Sequence, residues 1–393
     1  MRFFIALLAC YSSLTCAQTF AELRAQLWQR DAATATAQAQ RDLTQQLAGS
    51  TRRWLNDGAR LSVSEQRANN ARRVFEQQWQ LTLPALLTSS SPREIADADA
   101  ALADAQLHLA KVDSSALLYR LLGDAQVRQQ WQQTQQQRVE AATQLLRDIE
   151  RRVQGGEAAP DDVTQMQIET QSAQNDLLIA DTEQQEMQLQ LQQLLGENLD
   201  VNAIALPTVT VAEAANANDA HPLRRIAAAE SQRAQSQRDW SRDWSRDLEW
   251  SLLYKRERSE LDGIVQNSSG IGISLPLGDN AARRHEKQQA ESARQIAQQR
   301  LQQLQQTLPL QQLRADLRLR HSAQLSAQQQ QLIRWQTQHH DAVNRAWQLG
   351  EMAFADVLRA QQKLAQAQLD ALQAQRDMIN AQADWLVAYG VLP

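Results

Sequence analysis

Two aspartates, Asp162 and Asp356, stand 194 positions apart. Each follows a glycine turn, Gly155-Gly156-Glu157 in the first case and Gly350-Glu351 in the second. A carboxylate at the start of a helical pattern complements the positive end of the helix dipole, so the bare spacing predicts helix starts. The 6 histidines invite a metal reading. His339 and His340 are the strongest pair, yet adjacent helical side chains diverge by about 100°, and neither an acid nor a second histidine follows them at the fourth position. His108, His221, His285 and His321 are scattered, so solvated helix faces are expected and no metal or cofactor. No nucleophile elbow, phosphate-cradling glycine loop or paired set of catalytic acids is present. The chain reads as a non-enzyme.

The two acids belong to a duplication. Gly156 recurs as Gly350, Asp162-Val163 as Asp356-Val357, and Gly196 as Gly390. Ala173, Gln174, Asp176 and Leu178 recur as Ala367, Gln368, Asp370 and Leu372 at the same offset, and Leu83-Pro84 recurs as Leu275-Pro276 at 192. Two tandem copies of roughly 195 residues follow from this shared offset. The first covers 18–200: a helix over 20–50, a β-hairpin within 54–84, a long helix over 91–154 and a helix over 161–196. A connector, 201–220, leads to the second copy, 221–393, with a helix to about Trp244, a β-hairpin within 247–277, a long helix over 280–348 and a last helix over 354–389. Only 12 Gly and 8 Pro punctuate the 393 residues, which suits long elements. The first rod should reach about 95 Å. Gly123 is its one soft spot, and Pro309 should kink the second rod.

The hairpins carry the alternation of strands. Phe75, Trp79, Leu81 and Leu83 share one face near 74–84, as do Leu248, Trp250, Leu252 and Tyr254 near 247–257, and Ile271, Ile273, Leu275 and Leu277 near 270–277. The first strand, near 54–63, offers only Trp54, Leu61 and Val63. The run 62–70 and the segment Arg258–Ser269 read as turns, on their Ser, Asn, Asp and Gly content. A Trp-rich stretch from Asp239 to Trp250 suits either an interfacial aromatic girdle or packing beneath the sheet.

Composition excludes some functions. Lys and Arg number 40 against 45 Asp and Glu, and no basic block stands apart, so no nucleic-acid partner is expected. Gln is abundant, but Leu, Ala, Ile and Val return every three or four residues through 162–195 and 356–389, which a disordered Gln tract does not show. Arg2, the apolar run Phe3 to Ala9 and Thr15-Cys16-Ala17 read as a secretory signal, 1–17, cleaved after Ala17; acylation of Cys16 is the rival reading. Both cysteines, Cys10 and Cys16, would leave with the signal. No later stretch nears the roughly 20 apolar residues of a spanning helix, so a membrane crossing would have to be a β-barrel.

In these segments the chain resembles the TolC-like outer-membrane efflux proteins. The likeness covers essentially the whole mature chain and is carried by Gly270-Ile-Gly-Ile-Ser-Leu-Pro-Leu-Gly-Asp-Asn, by Leu349-Gly350-Glu351-Met352-Ala353-Phe354-Ala355-Asp356-Val357-Leu358 with its counterpart from Gly156 to Val163, and by His221-Pro222-Leu223. The resemblance implies a mainly α fold with a small β part: long antiparallel helices plus two β-hairpins, trimerising into a 12-stranded β-barrel continued by an α-helical barrel. It implies an outer-membrane exit channel of a tripartite efflux or type I secretion system, extending into the periplasm of a Gram-negative bacterium. The partners would be two further copies, a periplasmic adaptor protein, an inner-membrane transporter and outer-membrane lipid. By the same resemblance Asp356, with Asp162 and Arg359, would line the periplasmic gate. Arg359 stands where the family pattern expects a second acid, which opens ion pairing with Asp356 instead. Gly155, Gly156, Glu157, Gly350 and Glu351 would meet the adaptor. The alternative reading is a secreted periplasmic coiled-coil scaffold without channel activity.

Overall fold

The computed structural model describes residues 19–51, 59–68, 74–84, 90–196, 199–208, 221–243, 248–259, 262–274, 278 and 281–393. The signal segment, Trp54, Trp244 and Leu275 to Leu277 lie outside them. The chain is mainly helical: α1 (Phe20–Arg30), α2 (Ala32–Thr51), α3 (Ser91–Gln154), α4 (Pro160–Leu195), α5 (Pro222–Arg242), α6 (Ala281–Gln348) and α7 (Phe354–Tyr389). Four strands, β1 (Arg60–Ala68), β2 (Val74–Pro84), β3 (Glu249–Ser259) and β4 (Val265–Ser274), form one antiparallel sheet in the order β1-β2-β3-β4.

The duplication is written into the backbone. Helices α4 and α7 have bounds 194 positions apart. Both end on a left-handed glycine, Gly196 at φ 81° and Gly390 at φ 65°. The compact units cut across the copies: one comprises Met1–Ala35, Lys111–Ala217 and Leu310–Pro393, the other Thr36–Ala110 and Asn218–Pro309. Each copy therefore contributes to both units, because α3 and α6 run from one into the other.

Two apolar clusters hold the first unit. Phe20, Leu23 and Leu27 of α1 pack with Leu118, Tyr119 and Leu122 of α3, Leu191 and Leu195 of α4, and Trp385 and Leu386 of α7. Ile149 of α3, Met166 of α4, Trp347 of α6 and Phe354 with Val357 of α7 form the second cluster. Gly123 is a point of close approach rather than a soft spot. A Cβ there would lie 2.4 Å from Cγ2 of Ile379, so only glycine lets α7 come this near α3. In the second unit, α3 and α5 are tied by Arg233 and Asp99 at 2.8 Å, and Glu291 of α6 receives Arg238 at 2.8 Å and Arg242 at 3.0 Å from α5.

Three further expectations change. The opening helix breaks at Asp31, which caps the end of α1 with its N–H on the Leu27 carbonyl at 2.8 Å. Its carboxylate meanwhile accepts from Ala33 N–H at 3.4 Å and Thr34 N–H at 3.2 Å to start α2. Strand β1 runs from Arg60 to Ala68, past the expected end at 63, while 54–58 lie outside the described residues; β4 begins at Val265, not Gly270. Polar residues read there as turn formers are strand residues: Ser62, Ser64, Gln66, Gln266 and Ser268 lie on the polar side of the sheet, and Glu65, Asn267 and Ser269 on the other.

Candidate functional site

The sheet has two chemically opposed faces. Residues directly opposite one another in an antiparallel pair point to the same side, so the pairing register assigns every side chain. On one side the rows read Leu83, Trp250 and Ile273; then Leu61, Leu81, Leu252 and Ile271; then Val63, Trp79, Tyr254 and Ser269. Trp79 and Tyr254 touch across the strands, ring centroids 5.4 Å apart. Beyond them this side turns polar: Glu65, Gln77, Arg256 and Asn267, then Arg67, Phe75, Arg258 and Val265.

The other side carries Ser62, Ser64 and Gln66 of β1, Glu76, Gln78, Gln80 and Thr82 of β2, Ser251, Lys255, Glu257 and Ser259 of β3, and Gln266, Ser268, Gly270 and Gly272 of β4. Ala68, Val74, Pro84 and Leu253 are its apolar exceptions, and Arg60 and Glu249 stand at its helix-side end. Lys255 bridges Glu76 at 3.0 Å and also pairs with Glu257.

Among the described residues the apolar side has no cover. Ile271 is 75% exposed and Leu61 65%. A contiguous apolar patch of this kind marks a surface that meets lipid or protein. The strands are 9, 11, 11 and 10 residues long, the length of a tilted transmembrane strand, which is about 9–11. β1 and β4 each pair on one side only, leaving two open edges. No helix among the described residues is long and apolar enough to cross a membrane.

The two helical turns are built alike. In the first, Glu157 N–H bonds the Arg152 carbonyl at 2.8 Å and Gly156 N–H the Val153 carbonyl at 3.0 Å; in the second, Glu351 N–H bonds Ala346 at 2.9 Å and Gly350 N–H bonds Trp347 at 3.0 Å. This is the Schellman pattern, and its left-handed position is filled by Gly156 (φ 77°) and Gly350 (φ 78°). Gly155, Gly156, Glu157, Gly350 and Glu351 are all exposed. Beside them Leu349 and Met352 are exposed as well.

The candidate gate residues follow immediately. Asp162 sits in the first turn of α4, where its carboxylate accepts the Ala159 N–H at 3.2 Å. Asp356 holds the same place on α7, but its carboxylate takes Arg359 at 2.9 Å. The repeat-related acids are thus used differently, one as a backbone cap and the other as half of an ion pair. Both turns close on one apolar cluster, since Val163 lies against the group that contains Phe354 and Val357.

Several polar contacts of the helical unit were not foreseen. The Arg152 guanidinium lies 4.1 Å from the Trp347 ring centroid, joining the two hairpins at their turns. Farther along, Arg138 is bound by Glu169 at 2.6 Å and Asp176 at 2.7 Å, and Gln362 of α7 donates to Glu169 at 3.2 Å. Burial opposes the charge on Arg138, yet the hydrogen bonds and charges of Glu169 and then Asp176 hold its pKa above the ordinary arginine value. Asp316 accepts from Trp385 Nε1 at 2.8 Å and Tyr389 Oη at 2.9 Å. Burial first, then that bond to Asp316, pushes the Tyr389 phenol up to about 12; burial alone does the same for Tyr119. A donor–acceptor pair far apart in sequence leaves no local signal.

Among the described residues no group of His, Cys, Asp and Glu could hold a metal ion. His221 is buried, its Nδ1 accepting the Leu223 N–H at 3.2 Å to cap α5, and His340 lies 3.4 Å from Asp341.

No family model and no curated protein matches the sequence. Solved structures do. The outer membrane protein VceC from Vibrio cholerae aligns at TM-score 0.75 and 17% identity, over 95% of this chain and 96% of that one. The CmeC outer membrane channel of Campylobacter jejuni aligns at 0.72 and 14%, covering 94% and 85%. The MtrE outer membrane channel of Neisseria gonorrhoeae aligns at 0.68 and 14%, covering 95% and 89%. The chain has the TolC-like fold.

Proposed function

We propose that this chain is an outer-membrane exit channel, three copies of which close a 12-stranded barrel continued by a helical tunnel in the periplasm of a Gram-negative bacterium. The observation that carries the reading is the two-faced sheet with open edges. Hydrocarbon offers no partner to a free N–H or C=O, so a sheet whose uncovered side is apolar must close on itself to enter a bilayer. Four strands are too few for one chain to close alone, since known single-chain barrels begin at about eight. Pairing β1 of one copy with β4 of the next removes both edges at once. The Ser-, Gln- and Gly-rich side then lines the lumen, as conduction of polar solutes requires. That the structural relatives are outer membrane channels supports the same conclusion.

The channel would be passive. A periplasmic adaptor would dock on Gly155, Gly156, Glu157, Gly350 and Glu351, with Leu349 and Met352 adding apolar contact, and an inner-membrane transporter would supply the energy for efflux or type I secretion. Asp356, paired with Arg359, and Asp162 would ring the periplasmic entrance. A secreted scaffold has no use for an uncovered apolar sheet face with a polar reverse, and no observation favours that alternative. Planar-bilayer recording tests the reading. The purified protein is expected to give discrete conductance steps, and Asp356→Ala to lower cation selectivity and raise closed-state current. A protein that never inserts refutes the channel; an inserting Asp356→Ala variant with unchanged selectivity and closed current refutes the gate.

A further inference from the structure

Resting on the channel reading, we infer that Arg256 and Arg258 of β3, with Arg67 of β1, form a binding site for the phosphate groups of an outer-leaflet lipid headgroup. The register puts all three on the apolar side of the sheet, directly beyond the rows of Leu, Ile, Trp and Tyr side chains. They lie toward the hairpin turns, the end opposite to where the helices attach. In a closed barrel that is the outward end of the lipid-facing wall, where hydrocarbon gives way to headgroups.

Charge on the lipid-facing side of a barrel is costly at mid-bilayer and tolerated only near the interface, so its presence in two adjacent rows marks where the headgroups begin. The sign is informative. Three arginines share these rows with a single acid, Glu65, giving a net positive belt. Arg256 and Arg258 are exposed, and among the described residues neither has a carboxylate partner. This contrasts with Lys255, the residue before Arg256, which points to the other side and is neutralised by Glu76 and Glu257. Arg67 and Arg258 face each other across Phe75, two strand spacings or about 10 Å apart, so two guanidiniums flank one ring. Guanidinium forks bind phosphate oxygens in pairs, and the intervening ring suits the glycerol or sugar region of a headgroup. A soluble anion would not need the apolar rows that adjoin the belt; a membrane lipid would occupy both.

The test uses the intact protein in phosphatidylcholine nanodiscs, titrated with lipid A bearing two phosphates or with the same lipid dephosphorylated, and read by native mass spectrometry. The wild type is expected to retain the phosphorylated lipid about 30-fold more tightly than Arg256→Gln/Arg258→Gln, and the dephosphorylated lipid no better than the variant does. Arg256→Lys/Arg258→Lys should recover part of the difference, because the charge returns without the fork. Equal retention by wild type and the Gln variant, or equal retention of both lipids, overturns the proposal. So does binding of inorganic phosphate at millimolar concentration in the absence of lipid A that is lost in the Gln variant, which would assign the site to a soluble anion. Insertion and conductance of the Gln variant are expected to match the wild type. Failure of the wild type itself to insert would instead refute the channel reading, and the lipid site with it.

Discussion

Arginine at Leu252 and arginine at Leu253 should have opposite consequences. The two are neighbours on β3, and only the register separates them. Leu252 lies in a row with Leu61, Leu81 and Ile271, while Leu253 faces the polar side between Gln80 and Gly270. The Leu252 row has apolar residues on both sides of it along the strands, so it lies inside the hydrophobic band. Arginine on the lipid-facing wall of a barrel costs about 2–4 kcal/mol at mid-bilayer and about 0–1 near the interface. For Leu252→Arg this is a shift of about 30-fold to about 700-fold in the folding equilibrium per protomer. Leu253→Arg removes one apolar side chain from the Ser-, Gln- and Gly-rich face proposed to line the lumen, where its guanidinium would stay hydrated, and should cost under about 1 kcal/mol. The assay is reversible urea unfolding from lipid vesicles, followed by tryptophan fluorescence. Equal destabilisation, or a larger effect at Leu253, would refute the assignment of faces.

Further perturbations address the helical unit and the lumen. Arg138→Met leaves the Glu169 carboxylate, 8% exposed, without its ion partner and should destabilise the fold by about 3–5 kcal/mol, while Arg138→Met/Glu169→Met should recover most of that in denaturant titrations. The phenols of Tyr119 and Tyr389, raised to about 12 against an ordinary 10, stabilise the fold fully below pH 10, and that contribution is lost as pH rises through 12. Absorbance titration should show both ionising near 12, and Asp316→Asn should lower the Tyr389 midpoint while leaving that of Tyr119 in place. On the face proposed to line the lumen, Lys255→Gln frees Glu76 and Glu257, so the proposed channel should become more cation-selective in bilayer reversal potentials.

Legibility in the sequence followed periodicity. The long helices could be read because one apolar stripe and a terminal glycine are local signals, and Gly156 and Gly350 announce the turns that the Schellman bonds then close. Strand β2 was plain, since Trp79, Leu81 and Leu83 alternate with polar residues. β1 and the start of β4 were hidden because their polar side is meant to be polar: Ser62, Ser64 and Gln66 look like turn formers until β2 pairs with them. Asp31 was missed for a similar reason, as one aspartate inside an apolar pattern does not break it, whereas its hydrogen bonds to Ala33 and Thr34 do. The Arg152 contact to Trp347 and the clasp of Arg138 by Glu169 and Asp176 join segments far apart in the chain, and only the packed helices bring them together.

In the proposed channel the sheet closes by pairing β1 of one copy with β4 of another. Cryo-electron microscopy of the detergent-solubilised protein tests it most directly. A threefold particle is expected in which Arg60–Ala68 of each copy is hydrogen-bonded to Val265–Ser274 of its neighbour, with Leu61, Leu252 and Ile271 facing the detergent. A monomer whose sheet keeps two open edges, or a closed assembly with those leucines turned into the lumen, would contradict it.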